Sequence, residues 1–159
     1  MNIKPIQKKV EFDLRVFDST NLRDCVNCYA YAINVFDIET KLFIGIFSNY
    51  SNELKVDDLK LANRFIKDMI ALEKDPIKSN LEAKPNKGYY KIALFSNYGT
   101  TRSSITDFHF ARQDDDGNWS HKVRGKYPEI INPNEFNNLL LRGDIYHLVG
   151  VFEIKEEVV

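Results

Sequence analysis

The segment Asn21-Leu-Arg-Asp-Cys-Val-Asn-Cys-Tyr-Ala-Tyr-Ala32 holds both cysteines of the chain, Cys25 and Cys28. It sets Cys28 where a polar, turn-like stretch gives way to a helix-forming one. The first backbone N–H groups of a helix have no partner within it and carry positive potential, so they favour a thiolate. They can also hold the oxyanion that forms when a thiolate adds to a carbonyl. Cys28 therefore stands where a nucleophile for acyl carbon would be placed. Cys25, read as lying in the preceding loop, is the competing thiol. The plain alternative for Cys28 is a small buried residue with no chemistry.

A second reactive segment runs Asp107-Phe-His-Phe-Ala-Arg-Gln-Asp-Asp-Asp-Gly-Asn-Trp-Ser-His-Lys122. Its two apolar-alternating halves flank Asp115-Asp116-Gly117 and read as a hairpin. Register decides whether its histidines cooperate. A three-residue loop with Gly117 left-handed opposes Asp114 to Asn118, His109 to Val123 and His121 to Ala111. His109 and His121 are then diagonal neighbours on one face, within side-chain reach. A two-residue turn through Asp116-Gly117 sends them to opposite faces. In the first register one strand offers an imidazole as base and the next offers a group to orient it, completing a nucleophile, base and orienter set of Cys28, His109 and His121. His147, at the start of the apolar last strand, reads as a structural or surface residue, and Trp119 as a core or rim ring.

Other chemistry fits the same residues less well. Cys25-Val-Asn-Cys28 is a Cys-x-x-Cys, but the redox motif needs an apolar strand leading into it, and Ser19 to Asp24 is polar. Zinc held by Cys25, Cys28, His109 and His121 would need histidines at finger spacing, which a hairpin pair is not. No metal or cofactor is expected. A binding module without activity remains the third reading, although neither thiol nor imidazole is missing.

The elements around these residues set an order of helices first and strands afterwards. Val10 to Phe17 reads as an edge strand, Asp18 to Asn21 as a turn, and Asn27 to Phe36 as a helix through Tyr29, Ala32, Ile33 and Phe36. Val56 to Lys74 is the clearest helix, with Asp57 and Asp58 in its first turn and Pro76 beyond its end. Leu59, Ala62, Phe65, Ile66, Met69, Ile70 and Glu73 mark a face that is apolar almost to its end. Pro76 to Lys87 is a polar connection. Strands follow at Tyr89 to Phe95, Thr106 to Asp114, Trp119 to Arg124 and Tyr146 to Ile154, with a short helix at Pro133 to Leu141. This is an α+β domain in which N-terminal helices pack on a C-terminal antiparallel sheet, spanning residues 1–159 as one unit.

Composition bounds the partners. The 159 residues are 43% hydrophobic and 28% charged, with 11 Phe and 8 Tyr, enough for an aromatic-rich core. The formal charge is -1, from 22 basic and 23 acidic residues, so no basic excess favours nucleic acid. Two cysteines do not make a disulfide scaffold. No apolar run reaches the roughly 20 residues of a membrane span, and Lys4, Lys8 and Lys9 precede no apolar leader segment. A product made in the cytoplasm is expected, with export limited to a route that reads no cleavable signal.

The run Asn27-Cys-Tyr-Ala-Tyr-Ala32, followed downstream by a strand histidine and a hairpin partner histidine, resembles papain-like cysteine hydrolases, nearest their compact NlpC-type branch. Asp107 to Lys122 also resembles a motif in poorly characterised bacterial proteins related to that group. The resemblance implies a catalytic cysteine opening a helix packed on an antiparallel sheet, a catalytic histidine on one strand and a polar third residue on the next. Cys28, His109 and His121 follow that order. Tyr29 stands where NlpC-type proteins commonly have serine. The implied activity is thiol-dependent cleavage of an amide or ester in a peptide or protein substrate. Acyl transfer to an amine and glutamine deamidation are variants on the same residues. The Lys-, Asn- and Ile-rich composition fits a bacterium of low-GC genome, and a secreted effector acting on host protein is one setting.

Overall fold

The longest alternating stretches of the second half become the longest strands, because each can bury both faces. A computed structural model describes residues 1–100 and 104–156; the last three residues of the expected 1–159 unit lie outside the described residues. β4 (Tyr89–Asn97) is flanked by β9 (Asp144–Lys155) and β5 (Asp107–Gln113). Beyond β9 lies β3 (Ile77–Ser79), and beyond β5 lie β6 (Trp119–His121) and β7 (Glu129–Ile131). β8 (Leu139–Leu141) folds back onto the start of β9, and a separate small pair joins β1 (Lys4–Pro5) to β2 (Val35–Phe36). Every pairing is antiparallel. The chain is thus α+β, a large antiparallel sheet with three helices among the described residues: α1 (Thr20–Cys25), α2 (Cys28–Ile33) and α3 (Asp58–Ala71). None is long and apolar enough to cross a membrane.

The sheet buries both faces, each with its own cluster. Ile92, Leu94, Phe110, Phe152 and Ile154 pack with Tyr29, Ala30 and Ile33 of α2 and with Leu61, Phe65 and Met69 of α3. Ala93, Phe95, Ala111 and Val151 pack on the other side with Trp119, Phe136, Leu139, Leu141 and Tyr146. Alternation along β5 therefore sends Phe108 and Phe110 toward the helices and His109 and Ala111 away from them.

Several expected elements differ for local reasons. Val10 to Phe17 is no strand: Asp13 caps a 3₁₀ turn at Leu14–Asp18, Leu14 is exposed, and Val10 and Phe17 are the buried residues. The turn expected from Asp18 instead starts α1, so Cys25 ends a helix rather than sitting in a loop. α2 stops at Ile33 because Asn34 adopts a left-handed φ of 61°, a conformation asparagine tolerates. Asn34 then bonds the backbone of Gln7 from both ends of its amide. α3 begins later than expected, at Asp58, with the Asp57 side chain accepting from Lys60 N. Its buried stripe is Leu61, Phe65, Asp68 and Met69, and Leu59 and Ile70 face solvent. The connection after Pro76 contains edge strand β3. The helix expected over Pro133 to Leu141 is a 3₁₀ turn, Pro133–Asn138, followed by β8.

One buried polar network ties the hairpin to the helix that carries Cys28. Arg112 on β5 donates Nε to Asp114 Oδ1 at 2.9 Å, and both side chains are fully buried. Ser120 Oγ on β6 donates to Asp114 Oδ2 at 2.6 Å, so Tyr31 of α2 is the donor in its 2.7 Å bond with Ser120 Oγ. Arg112 also reaches the Tyr31 carbonyl and lies 3.8 Å over the Tyr31 ring. Removing one partner of a buried pair strands the other charge, which costs about 3–5 kcal/mol. Asp114→Ala is therefore expected to destabilise the fold by about that amount in urea denaturation. A loss under about 1 kcal/mol would show that the pair does not brace the hairpin.

Candidate active site

α2 holds Cys28 at its first position through side chains that do not themselves react. Asn27 caps the helix, accepting from Ala30 N at 2.9 Å and donating Nδ2 to the Leu42 carbonyl at 2.7 Å. The next five residues of the helix are buried. Tyr29 stacks on Phe110, with centroids 4.9 Å apart, and donates its hydroxyl to the buried Asp68 at 2.6 Å. Asp68 also accepts from Gly45 N, Phe47 N and Ser48 Oγ, which binds the helix to the loop that precedes α3. Cys28 itself is half-buried.

The hairpin adopts the three-residue register. Arg112 opposes Ser120 and Gln113 opposes Trp119, Asp114 N donates to Asn118 O, and Gly117 takes a φ of +89°. The two histidines consequently meet on one face: His109 Nε2 lies 2.9 Å from His121 Nδ1, with the rings edge-on. His109 is 2% exposed and packs between Phe95 and Tyr146. β6 ends at His121, short of the expected Arg124, and its ladder with β5 covers only two residue pairs. The strands part beyond those pairs, and Phe108 and His109 of one strand line a cavity there with Lys122 and Val123 of the other and with Cys28. The thiol thus sits at the seam where β6 leaves β5. From that seam Cys28 and His109 line one cavity of about 260 Å³, although no hydrogen bond joins them directly among the described residues.

Burial sets the charge state of the site. It pushes the Cys28 thiol up to about 12, with Asp107 adding to the shift and backbone bonds from Phe110 and Tyr29 opposing it. This direction corrects the expectation of a thiolate drawn from the helix start. His109 is held down to about 3, by burial first and then by His121 and Arg142. His121 is lowered too, again mainly by burial, with Glu129 and Glu135 working the other way. The resting site is therefore a neutral thiol beside neutral imidazoles. Low polarity disfavours either ion alone, yet it strengthens the attraction between the two once both form together.

Four further residues belong to this site, and the sequence reading passed over them. Asp107 lies two residues before His109 on the same strand face, and Tyr146 donates its hydroxyl to it at 2.5 Å. The period of two along β5 was the available signal. Arg142, exposed in the turn between β8 and β9, lines the cavity, and its charge lowers the Tyr146 hydroxyl against the upward push of burial; a helix expected up to Leu141 hid the turn. Lys122, which follows His121, is buried, donates to the carbonyls of Arg23 and Val26, and is lowered to about 8 by burial. Glu129 on β7 approaches His121 Nε2 at 4.0 Å.

The remaining candidates lie apart from the cavity. Cys25 is a free thiol whose Sγ donates to the Ile38 carbonyl at 3.5 Å, and Cys28 is free as well. His147 is exposed on β9. Trp119 is buried against Phe136 as a core ring. Among the described residues no group of three or more His, Cys, Asp or Glu comes together to hold a metal ion.

A folded-state value near 3 for His109, against 6.5 for the free side chain, makes unfolding take up protons as the medium acidifies. The stability tied to a neutral His109 is complete above about pH 6.5 and is lost as pH falls toward 3. The urea midpoint should therefore decline already between pH 7 and 5, above the range where carboxylates titrate. His109→Gln should flatten that decline, and an unchanged slope in the variant would contradict the assignment.

No family model matches the chain, and neither a curated protein nor a solved structure was found to match it.

Proposed function

We propose that the chain is a thiol-dependent acyl hydrolase in which Cys28 is the nucleophile, His109 the base and His121 its orienter. The observation that carries this reading is the 2.9 Å contact between His109 Nε2 and His121 Nδ1, made by a histidine that shares its cavity with a helix-initiating thiol. The proposed roles require one of the two tautomer pairs that this contact allows. With His109 Nε2–H donating to His121 Nδ1, the acceptor nitrogen of His109 is Nδ1, and His121 carries its proton on Nε2, toward Glu129.

The steps follow from this arrangement. The Cys28 sulfur adds to the carbonyl carbon as its proton passes to His109 Nδ1, so thiolate and imidazolium arise together rather than standing preformed. The Cys28 N–H supports the oxyanion. The imidazolium then gives its proton to the departing amine or alcohol, leaving a thioester on Cys28. Water, deprotonated by His109, adds to the thioester; the acid leaves and the thiol is restored. An amine in place of water makes the same cycle a transfer, and a glutamine side chain makes it a deamidation. Chain order and layout (helix thiol, strand imidazole, neighbouring strand partner) support a papain-like, NlpC-like reading of the fold. A peptide or protein is the proposed substrate.

The test is acylation by an activated ester, followed by intact mass and by turnover. Cys28→Ala should abolish both, and His109→Ala should slow acylation by about 10²–10⁴-fold. His121→Ala should cost less, and Cys25→Ala should leave the rate unchanged. Loss of acylation in Cys25→Ala with retention in Cys28→Ala would assign the nucleophile to the other thiol.

A further inference from the structure

The cavity that holds Cys28 is charged unlike the rest of the molecule. The chain as a whole is near neutral, at -1, yet Lys41, Lys122, Arg124 and Arg142 line this cavity against a single carboxylate, Asp107. That carboxylate already accepts the Tyr146 hydroxyl. Lys122 is buried and holds two carbonyls, so it contributes field rather than a contact to a ligand. Arg124 is braced through Nε by the Asp24 carbonyl. Lys41 and Arg142 are exposed at the mouth.

Arg142 stands out for its backbone. It occupies the first position of the two-residue turn between Leu141 and Asp144, with φ 52°, and Gly143 follows at φ 85°. A turn with both central residues left-handed favours asparagine or aspartate before glycine. An arginine there gains nothing for the turn and bears strain. It shares the cavity wall with His109 and with Asp107, which accepts the Tyr146 hydroxyl two residues from His109 on the same strand. The strained position thus delivers a forked, permanently charged donor to the wall beside the thiol, a group suited to a carboxylate.

We infer that the acyl substrate carries a carboxylate close to its scissile carbonyl, gripped by Arg142 with Lys41 at the cavity mouth. The inference rests on the reading of Cys28 as the acyl-accepting thiol.

Iodoacetate and iodoacetamide test it, since they have the same reach and differ in a carboxylate. Each forms a sulfur–carbon bond as iodide leaves. Their rates are compared for Cys28 in Cys25→Ala and for Cys25 in Cys28→Ala, using the full chain at low salt. The iodoacetate-to-iodoacetamide ratio should be about 10-fold or more higher at Cys28 than at Cys25. It should collapse in 1 M salt and in Arg142→Asn. That variant suits the turn, so it should melt no lower than the parent, which separates loss of the cation from loss of the fold. An equal ratio at the two thiols, or a ratio untouched by Arg142→Asn, overturns the inference. His109→Ala separates the two failures. An iodoacetamide rate that needs His109 but shows no anion preference removes the carboxylate alone. A rate indifferent to His109 removes the hydrolase reading, and the carboxylate with it.

Discussion

A buried arginine without a carboxylate would unfold this region, and much of the site's geometry descends from how Arg112 is satisfied. Asp114, Ser120 and Tyr31 complete a closed set of bonds with it. Each residue sits on a different part of the machinery: β5 with His109, the hairpin end, β6 with His121, and α2 with Cys28. A slip of one residue in the hairpin would turn Ser120 away from Asp114 and leave the pair incomplete. The same slip would send His121 to the opposite face from His109. Electrostatic satisfaction in the core and alignment of the imidazoles are thus one constraint.

In the proposed mechanism the chemistry is poised differently from an exposed ion pair. Packing around Cys28 and His109 disfavours charge on both, so the resting site holds no nucleophile ready to react with whatever diffuses in. Charge separation becomes favourable when a carbonyl enters to receive the sulfur and the oxyanion is met by local donors. Selectivity then lies in the act of reaction as much as in binding. On that reading the cations along the cavity wall add to this by favouring the negative charge that would develop on sulfur and oxygen.

The parts of the fold that local chemistry decides were legible beforehand. Gly117 after two aspartates permits the three-residue loop, and alternation then places His109 and His121 together. The helix start at Cys28 follows from Asn27 as a cap. Long-range packing decided the rest. The segment near Val10 alternates well enough for a strand, but its backbone partners lie far along the chain: Val10 N meets the Glu156 side chain, and its carbonyl receives Asp115 N. Arg142 was illegible because its turn exists only where β8 pairs with β9, and Leu139 to Leu141 read locally as helix. Thiolate character was misjudged since a short helix offers its N–H groups at the surface of a motif, whereas desolvation depends on everything packed above it.

The parting of β5 and β6 after two residue pairs has a consequence of its own. Continued pairing would add backbone bonds, each contributing on the order of 1 kcal/mol, and would close the seam over the sulfur. The fold leaves that zipper half-fastened, and on the proposed reading stability surrendered there becomes an entrance. Lengthening the hairpin to toughen this protein would brick up its own doorway, so robustness has to come from elsewhere in the sheet.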